Sequence, residues 1–424
     1  MPLSNQIFGK TKRKYKKFYF YCLQSGNSGT LDAVGNILYL EFTMSRVVDR
    51  KQRPWIIGLA LFSMFFGSGN LIFPLAVGQY AQEQYLAATL GFCITAVLIP
   101  FMGVIAMVMY HGNYRKFFGV FGAAIGFIVT FMLLIFWIPL GSGPRCITLS
   151  YGAIKHYIGD TPLWLFSLAY SGLVFAMTYR KNRIIDILGR FLTPALLAIL
   201  AIVFAIGLYS STGFSPTEHK ALQAFGEGLA EGYNTQDLIA AFFFSATIIG
   251  ILTHKGESDS VKDDRPALRL ALKSSVIGVT ILGVVYLGLL YLGAAHASVL
   301  EGLSKDLLLP ALVRMLLGDQ LGFFATLAIA LACLTTSVAL ALVFTDFLRF
   351  RVFRDKLGHA FSLALTCLIT YSMSLIGFAG ISAILSTAME YMYPFLIVMI
   401  ICNCGARMIS QWLKKKAQLK PASC

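Results

Sequence analysis

The run SMFFGSGNLIFPLAVG, residues 63–78, places Gly67, Gly69 and Asn70 inside a strongly apolar stretch, with Pro74 just beyond. Glycine in a helix interior costs roughly 1 kcal/mol against alanine, and a backbone group freed within hydrocarbon costs several kcal/mol. Unwound backbone at such depth persists where a ligand satisfies it: carbonyls hold a cation, and exposed N–H and C=O ends hold a carboxylate or an ammonium. A seam of small residues for helix packing is the alternative, but two glycines spaced two apart face opposite ways. A second donor set stands in LACLTTSVAL, where Thr335, Thr336 and Ser337 interrupt an apolar run. Sodium is a hard cation that takes hydroxyl and carbonyl oxygens. One Ser or Thr in a membrane helix usually bonds its own i−4 carbonyl; three in succession cover most of the circumference, so at least one faces inward. The chemistry these residues suit is the holding of an ion and a zwitterion, with no covalent step.

Three charged residues sit where charge is costly. Arg145 follows GSGP in the third apolar run, and it suits a substrate carboxylate, an outer gate with Asp237, or snorkelling to lipid headgroups. Glu390, about ten residues into the last apolar run, is a functional candidate by its depth: a proton site, a gate partner for Arg145, or a neutral buried acid. Asp346 ends a run beside basic residues and reads as interfacial. The sequence holds no H-E-x-x-H, G-x-S-x-G or P-loop, and its six histidines fall in loops or run ends. A membrane-embedded enzyme therefore lacks a catalytic set. A channel would show a continuous polar stripe where this chain shows isolated polar clusters. The eight cysteines are scattered and read as packing residues.

The elements that must position these groups follow from composition. Of 424 residues 57% are hydrophobic and 13% charged, with mean hydropathy +0.72, which marks an integral membrane protein. Apolar runs long enough for ~30 Å of hydrocarbon fall near 55–75, 86–110, 118–141, 161–178, 192–209, 235–253, 268–292, 322–347, 359–378 and 380–402. The third is expected to run on to about 157 past Pro144. Ten spans put both termini on one side. With that side cytoplasmic, 30 of the 35 Lys and Arg lie in inner segments, as the positive-inside rule requires. The +15 net charge is thus a topology signal and not a nucleic-acid patch. Residues 1–54 form a basic cytoplasmic segment without a signal peptide's apolar core; translation is expected to start at Met44. The core covers 55–402, and a basic tail covers 403–424. From Trp55 to Gly67 the helix rises about 18 Å, which sets the Gly-Ser-Gly-Asn element near the bilayer midplane.

GLALFSMFFGSGNLIFP resembles the first-helix signature of the branched-chain amino acid:cation symporter family, the system II carriers of the amino acid–polyamine–cation superfamily. GPRCITLSYG (143–152), YNTQDLIAAFFFSATII (233–249), LACLTTSVAL (331–340) and YPFLIV (393–398) agree in order. The resemblance implies an all-α membrane fold of two inverted five-helix repeats, 55–209 and 235–402, with helices one and six broken. The family usually adds two helices after the tenth. The repeat core is expected to transport without them, while the oligomeric state stays open. Residues Ser63 to Asn70 would form the unwound part of helix one. Phe66, Gly67, Ser68, Gly69 and Asn70 would hold the substrate, and Ser63, Phe66 and Asn70 would hold sodium with Thr335, Thr336 and Ser337. Phe243, Phe244 and Ser245 would face them from a break in helix six, where the family has glycine after the aromatic. The implied function is sodium symport of leucine, isoleucine, valine and, by volume, methionine, in the plasma (inner) membrane by alternating access. Proton coupling through Glu390 is the alternative within transport, and a membrane protein of non-transport function is the rival class. The expected partners are the amino acid, sodium as coupling ion, and membrane lipid.

Overall fold

The computed structural model describes residues 54–179, 183–211, 213–254 and 265–418. The basic leader, with the expected start at Met44, lies outside them. All regular structure among the described residues is helical. In chain order the main helices are α1 (Pro54–Phe65), α2 (Ser68–Ala81), α3 (Tyr85–Cys93), α4 (Ile99–Met109), α5 (Ala123–Trp137), α6 (Gly143–Ile158) and α7 (Leu163–Tyr179). They continue with α8 (Arg183–Tyr209), α9 (Ala221–Asn234), α10 (Asp237–His254), α11 (Arg265–Ala295), α12 (Lys305–Phe347), α13 (His359–Ser374) and α14 (Gly377–Gln418).

Among the described residues, five helical runs are long and apolar enough to cross a membrane unaided: 68–109, 123–158, 266–295, 305–352 and 377–410. The rest of the ten expected spans are shorter rods or paired half-helices. Span one is α1 plus α2. Span three runs on to Ile158 through a π-turn at Ile138–Ser142 that takes up Pro139. Span eight is the second part of α12, because Gly318 at φ 74° kinks that helix. Span six departs most from expectation. Its apolar run starts near 235, yet a partly buried half-helix, α9, precedes it from Ala221. Glu227, Glu231 and three glycines mask α9 in the sequence, since charge breaks the hydropathy signal and glycine weakens the helical one.

The packing repeats itself in inverted form. Span two (α3, α4) lies along both halves of span six (α9, α10), and α11, which is span seven, lies along both halves of span one. At α2 on α11 and at α3 on α9 the contact is a seam of small residues that brings backbone to backbone. A Cβ on Gly78 or Gly293 would strike the main chain of the facing helix, and so would one on Gly91 or Gly228. Spans three and eight pack together as α6 on α12, and spans four and nine as α7 on α13. Asp346, expected at an interface, is fully buried because the helix continues past it into a π-turn at Leu348–Val352.

Candidate functional site: the paired helix breaks

Helix one opens for two residues only. α1 stops at Phe65 and α2 starts at Ser68, with Gly67 extended at φ −119°, ψ −168°. The Gly67 N–H donates to Asn70 Oδ1 at 2.9 Å, so the amide side chain caps the new helix in place of the lost ladder. Ser63 therefore lies in the last turn of α1, and Ser68, Gly69 and Asn70 in the first turn of α2. The expected unwound stretch contracts to Phe66–Gly67. Beyond Phe66, whose N–H still reaches the Phe62 carbonyl at 2.9 Å, the last carbonyls of α1 meet no amides of a continuing helix.

Helix six opens at Thr235–Gln236, and not at Phe244-Ser245. The helix α10 passes unbroken through Phe243, Phe244 and Ser245. Apolar residues at 238–244 favour a packed helix there. The turn sits instead where Asn, Thr, Gln and Asp follow one another, residue types that offer the backbone local side-chain partners. Gln236 takes φ 63°, a left-handed conformation that costs a non-glycine residue about 1–2 kcal/mol. Its side chain is tied on both ends: Ser142 Oγ donates to Oε1 at 3.1 Å and Nε2 donates to the Phe136 carbonyl at 3.4 Å. The π-turn of span three thus clasps the break of span six.

The two breaks touch. A Cβ on Gly69 would lie 3.4 Å from Thr235 Cα and its carbonyl oxygen, so glycine here permits close approach. Asn70 Nδ2 donates to Asp237 Oδ1 at 2.8 Å and also meets the Tyr286 hydroxyl, which itself donates to Asp237 Oδ2. Asn70, Asp237 and Tyr286 are 2%, 1% and 0% exposed. One hydrogen-bonded chain therefore joins the amide at the first break, the carboxylate at the second, and α11 behind both.

Span eight presents its three hydroxyl residues unequally. Thr335 and Thr336 each donate to the Ala332 carbonyl, at 2.9 and 3.0 Å, leaving hydroxyl lone pairs available. Thr336 Cγ2 stands 3.8 Å from where a Gly67 Cβ would be, so this residue faces the break. Ser337 turns away to Tyr170 Oη at 3.1 Å. It lines a small cavity among Ile147, Tyr170, Ser171, Ala341 and Cys367. The thiols of Cys146 and Cys333 meet beside Ser68 and Ser337. The described cysteines are free.

The aromatic pair divides its work. Phe244 sets its ring edge-on to Phe65, 6.0 Å between centroids, and Phe243 stacks on Trp137 at 5.8 Å. Ser245 is buried, with its hydroxyl unpaired. Arg145 is 1% exposed and forms no ion pair with Asp237; its Nη1 donates to the Asn234 carbonyl at 2.7 Å and its guanidinium lies 4.8 Å over the Phe73 ring. The gate expected between Arg145 and Asp237 is therefore absent in this conformation. Glu390 is exposed on the surface of α14, which removes it as a buried acid, and Arg145 is bonded to Asn234 and not to Glu390. The α14 helix turns Met389 and Tyr393 inward instead. Tyr286 carries no signal in the sequence, because a lone tyrosine in an apolar run belongs to no motif, whereas the polar run Asn234–Asp237 was a signal for the turn.

Access differs across the breaks. Residues 68–78 are all buried, sealed by Phe73 against Phe378 and by Tyr233 against Tyr393, at 6.2 and 4.6 Å between centroids. On the α1 side Ser63, Gly67, Thr335, Thr336 and Phe244 are half-buried.

A model of the branched-chain amino acid transport protein family matches residues 50–420. The chain belongs to that family. It is a transport protein of the membrane and not an enzyme. Relatives include the branched-chain amino acid permease BrnQ of Corynebacterium glutamicum, 30% identical over 352 residues, covering 82% of this chain and 80% of the relative. The branched-chain amino acid transport system 3 carrier protein of Pseudomonas aeruginosa is 29% identical, covering 81% and 78%. Among solved structures, Mhp1, a nucleobase-cation-symport-1 family transporter, matches in a closed conformation with bromovinylhydantoin bound. The TM-score is 0.56 at 16% identity, over 82% of this chain and 77% of that one. MhsT in complex with L-phenylalanine matches at 0.50 and 15%, over 83% and 89%. These likenesses place the family member in the fold of inverted repeats that its own packing displays.

Proposed function

We propose that this protein is a secondary transporter that imports branched-chain and other aliphatic amino acids with sodium as co-substrate. The observation that carries the reading is the meeting of two helix breaks, one capped by Asn70 and the other opened by Asp237, inside a membrane bundle. Half-helix ends of this kind supply carbonyls to a cation and amides to a carboxylate. The last carbonyls of α1 and the Thr336 hydroxyl form the oxygen set suited to sodium. Membership of the family supports the substrate class, and the ring surfaces of Phe65, Phe66 and Phe244 suit an aliphatic side chain. Such pockets separate substrates differing by one methylene by only ~1–3 kcal/mol, so leucine, isoleucine and valine share the site.

With the basic loops on the cytoplasmic side, as the positive-inside bias supports, α1 lies on the inner side of the membrane and both termini face the cytoplasm. The conformation is then closed to the outside and partly open inward. Alternating access requires the Phe73, Phe378 and Tyr393 seal to part while the α1 side closes. One charge carried inward gains ~2.3 kcal/mol per 100 mV, which corresponds to about 50-fold accumulation at ~1.4 kcal/mol per decade.

A second reading, proton coupling, moves from Glu390 to Asp237, a buried carboxylate with hydroxyl and amide donors but no cation paired to it. Uptake of labelled leucine into proteoliposomes separates the two. A sodium gradient at uniform pH drives uptake on the first reading, and a proton gradient without sodium drives it on the second. Accumulation of leucine under neither gradient contradicts both.

A further inference from the structure

Arg145 is the largest fully buried side chain of the described residues, and its surroundings do not satisfy it. Of its three guanidinium nitrogens, Nη1 donates to the Asn234 carbonyl, at the C-terminal end of α9, while Nε and Nη2 have no partner. Phe73 covers one face of the group. Glu231, whose charge acts on Arg145, pairs with Lys305 and accepts from Asn234 Nδ2 at 3.3 Å; Asp237 is held by Asn70 and Tyr286. Asn234 Oδ1 is likewise buried without a partner.

A buried guanidinium deprived of partners is strongly destabilising. Its stem gives it no escape to a headgroup, since snorkelling would leave it exposed. A planar fork with two adjacent N–H directions open matches a carboxylate, which takes two parallel hydrogen bonds and cancels the charge. The fork stands next to the helix-six break and over the same Phe73 that seals the α2 side. A ligand seated there would touch both broken helices and the scaffold helix α6.

We propose that Arg145 binds the α-carboxylate of the transported amino acid and is the residue by which the site demands one. This rests on the transport reading above and names which part of the substrate the α6 side of the site recognises. The ammonium end then lies toward the carbonyl ends and Asp237, and the aliphatic side chain among the phenylalanines.

The test measures leucine uptake into proteoliposomes in competition with leucinol and 3-methylbutylamine, which keep the side chain and the amine and lack the carboxylate. In the wild-type protein both compete about 30-fold or more weakly than leucine, the loss expected when a buried charge partner is removed. In Arg145→Gln the leucine KM rises by a similar factor, and the preference for leucine over leucinol falls to within about threefold. Arg145→Lys, which keeps the charge and loses the fork, lies between them. A residue that only ties α6 to α9 would lower uptake of all ligands together and leave the preference unchanged, and that result overturns the proposal. A direct contact measurement covers the case in which neither variant folds. Wild-type protein carrying 15N-arginine, loaded with leucine labelled with 13C at its carboxyl carbon, should show nitrogen–carbon dipolar dephasing. Bound leucine without it overturns the proposal. Absence of leucine uptake and binding in the wild type would instead contradict the transport reading itself.

Discussion

Asn70 is the residue on which the two breaks depend, because its oxygen caps one helix and its nitrogen holds the carboxylate of the other. Asn70→Ala removes both bonds and leaves Asp237 with one donor fewer in a dry interior. The expected cost is about 2–4 kcal/mol from a lost cap and an under-satisfied buried carboxylate. It should appear as a lower melting temperature in detergent together with a tenfold or greater fall in leucine uptake. The hydroxyl residues of span eight give a sharper contrast, since Thr336 faces Gly67 while Ser337 bonds Tyr170. Thr336→Ala should raise the sodium concentration for half-maximal uptake about tenfold, the effect of losing ~1.4 kcal/mol, whereas Ser337→Ala should change it less than about twofold on the same scale. Equal responses would place the ion elsewhere. The residue types at this site were legible in the sequence because Gly-Ser-Gly-Asn and Thr-Thr-Ser are out of place in apolar runs. Which hydroxyl faces inward was not, since helical phase relative to a partner is set by packing.

Among the elements, the seams that back each break carry the fold. A Cβ on Gly228 would fall 3.0 Å from the Ala88 carbonyl carbon and nearer still to its oxygen, so Gly228→Val must push α9 off α3. Main-chain atoms cannot swing aside as a side chain can, and the expected penalty is about 3 kcal/mol or more. Loss of monodisperse protein on size-exclusion chromatography would report it. Gly172 in α7 has nothing within 4 Å of a Cβ position. Gly172→Ala should therefore keep or raise the melting temperature, by up to about 1 kcal/mol of helix propensity. The same seam explains why span six was misjudged from sequence. Residues 221–234 have Gly228 and Gly232 at contact points and carry Glu227 and Glu231, the latter buried against Lys305, a pattern that reads as loop until the partner helix is known. The break was sought in the aromatic stretch 243–245 by family pattern, yet the local chemistry of Asn234, Thr235, Gln236 and Asp237 marks the true turn. The count of spans and their order needed only hydropathy and charge, which do not depend on contacts.

For the whole molecule, the inverted backing of each broken span by the helix that follows the other gives a bundle of spans one, two, six and seven. It faces a scaffold of spans three and eight with four and nine. The contacts that cross between them at the breaks are three hydrogen bonds, Ser142 to Gln236, Gln236 to Phe136 and Arg145 to Asn234, and the ring contacts of Trp137 with Phe243 and Phe244 and of Arg145 with Phe73, so rocking would exchange these and leave the glycine seams intact. Both breaks belong to the bundle and the Thr336 hydroxyl and Arg145 guanidinium belong to the scaffold; a ligand bound between them would be held by both parts. Substrate and ion are proposed to reside where the breaks at Phe66–Gly67 and Thr235–Gln236 meet. A cryo-EM map of the protein with leucine and sodium tests it most directly. Leucine density is expected between the two breaks, in contact with Gly67, Asn70 and Phe244, with ion density between the end of α1 and Thr336. Leucine density elsewhere, with the two breaks closed on each other and holding no ligand, would contradict it.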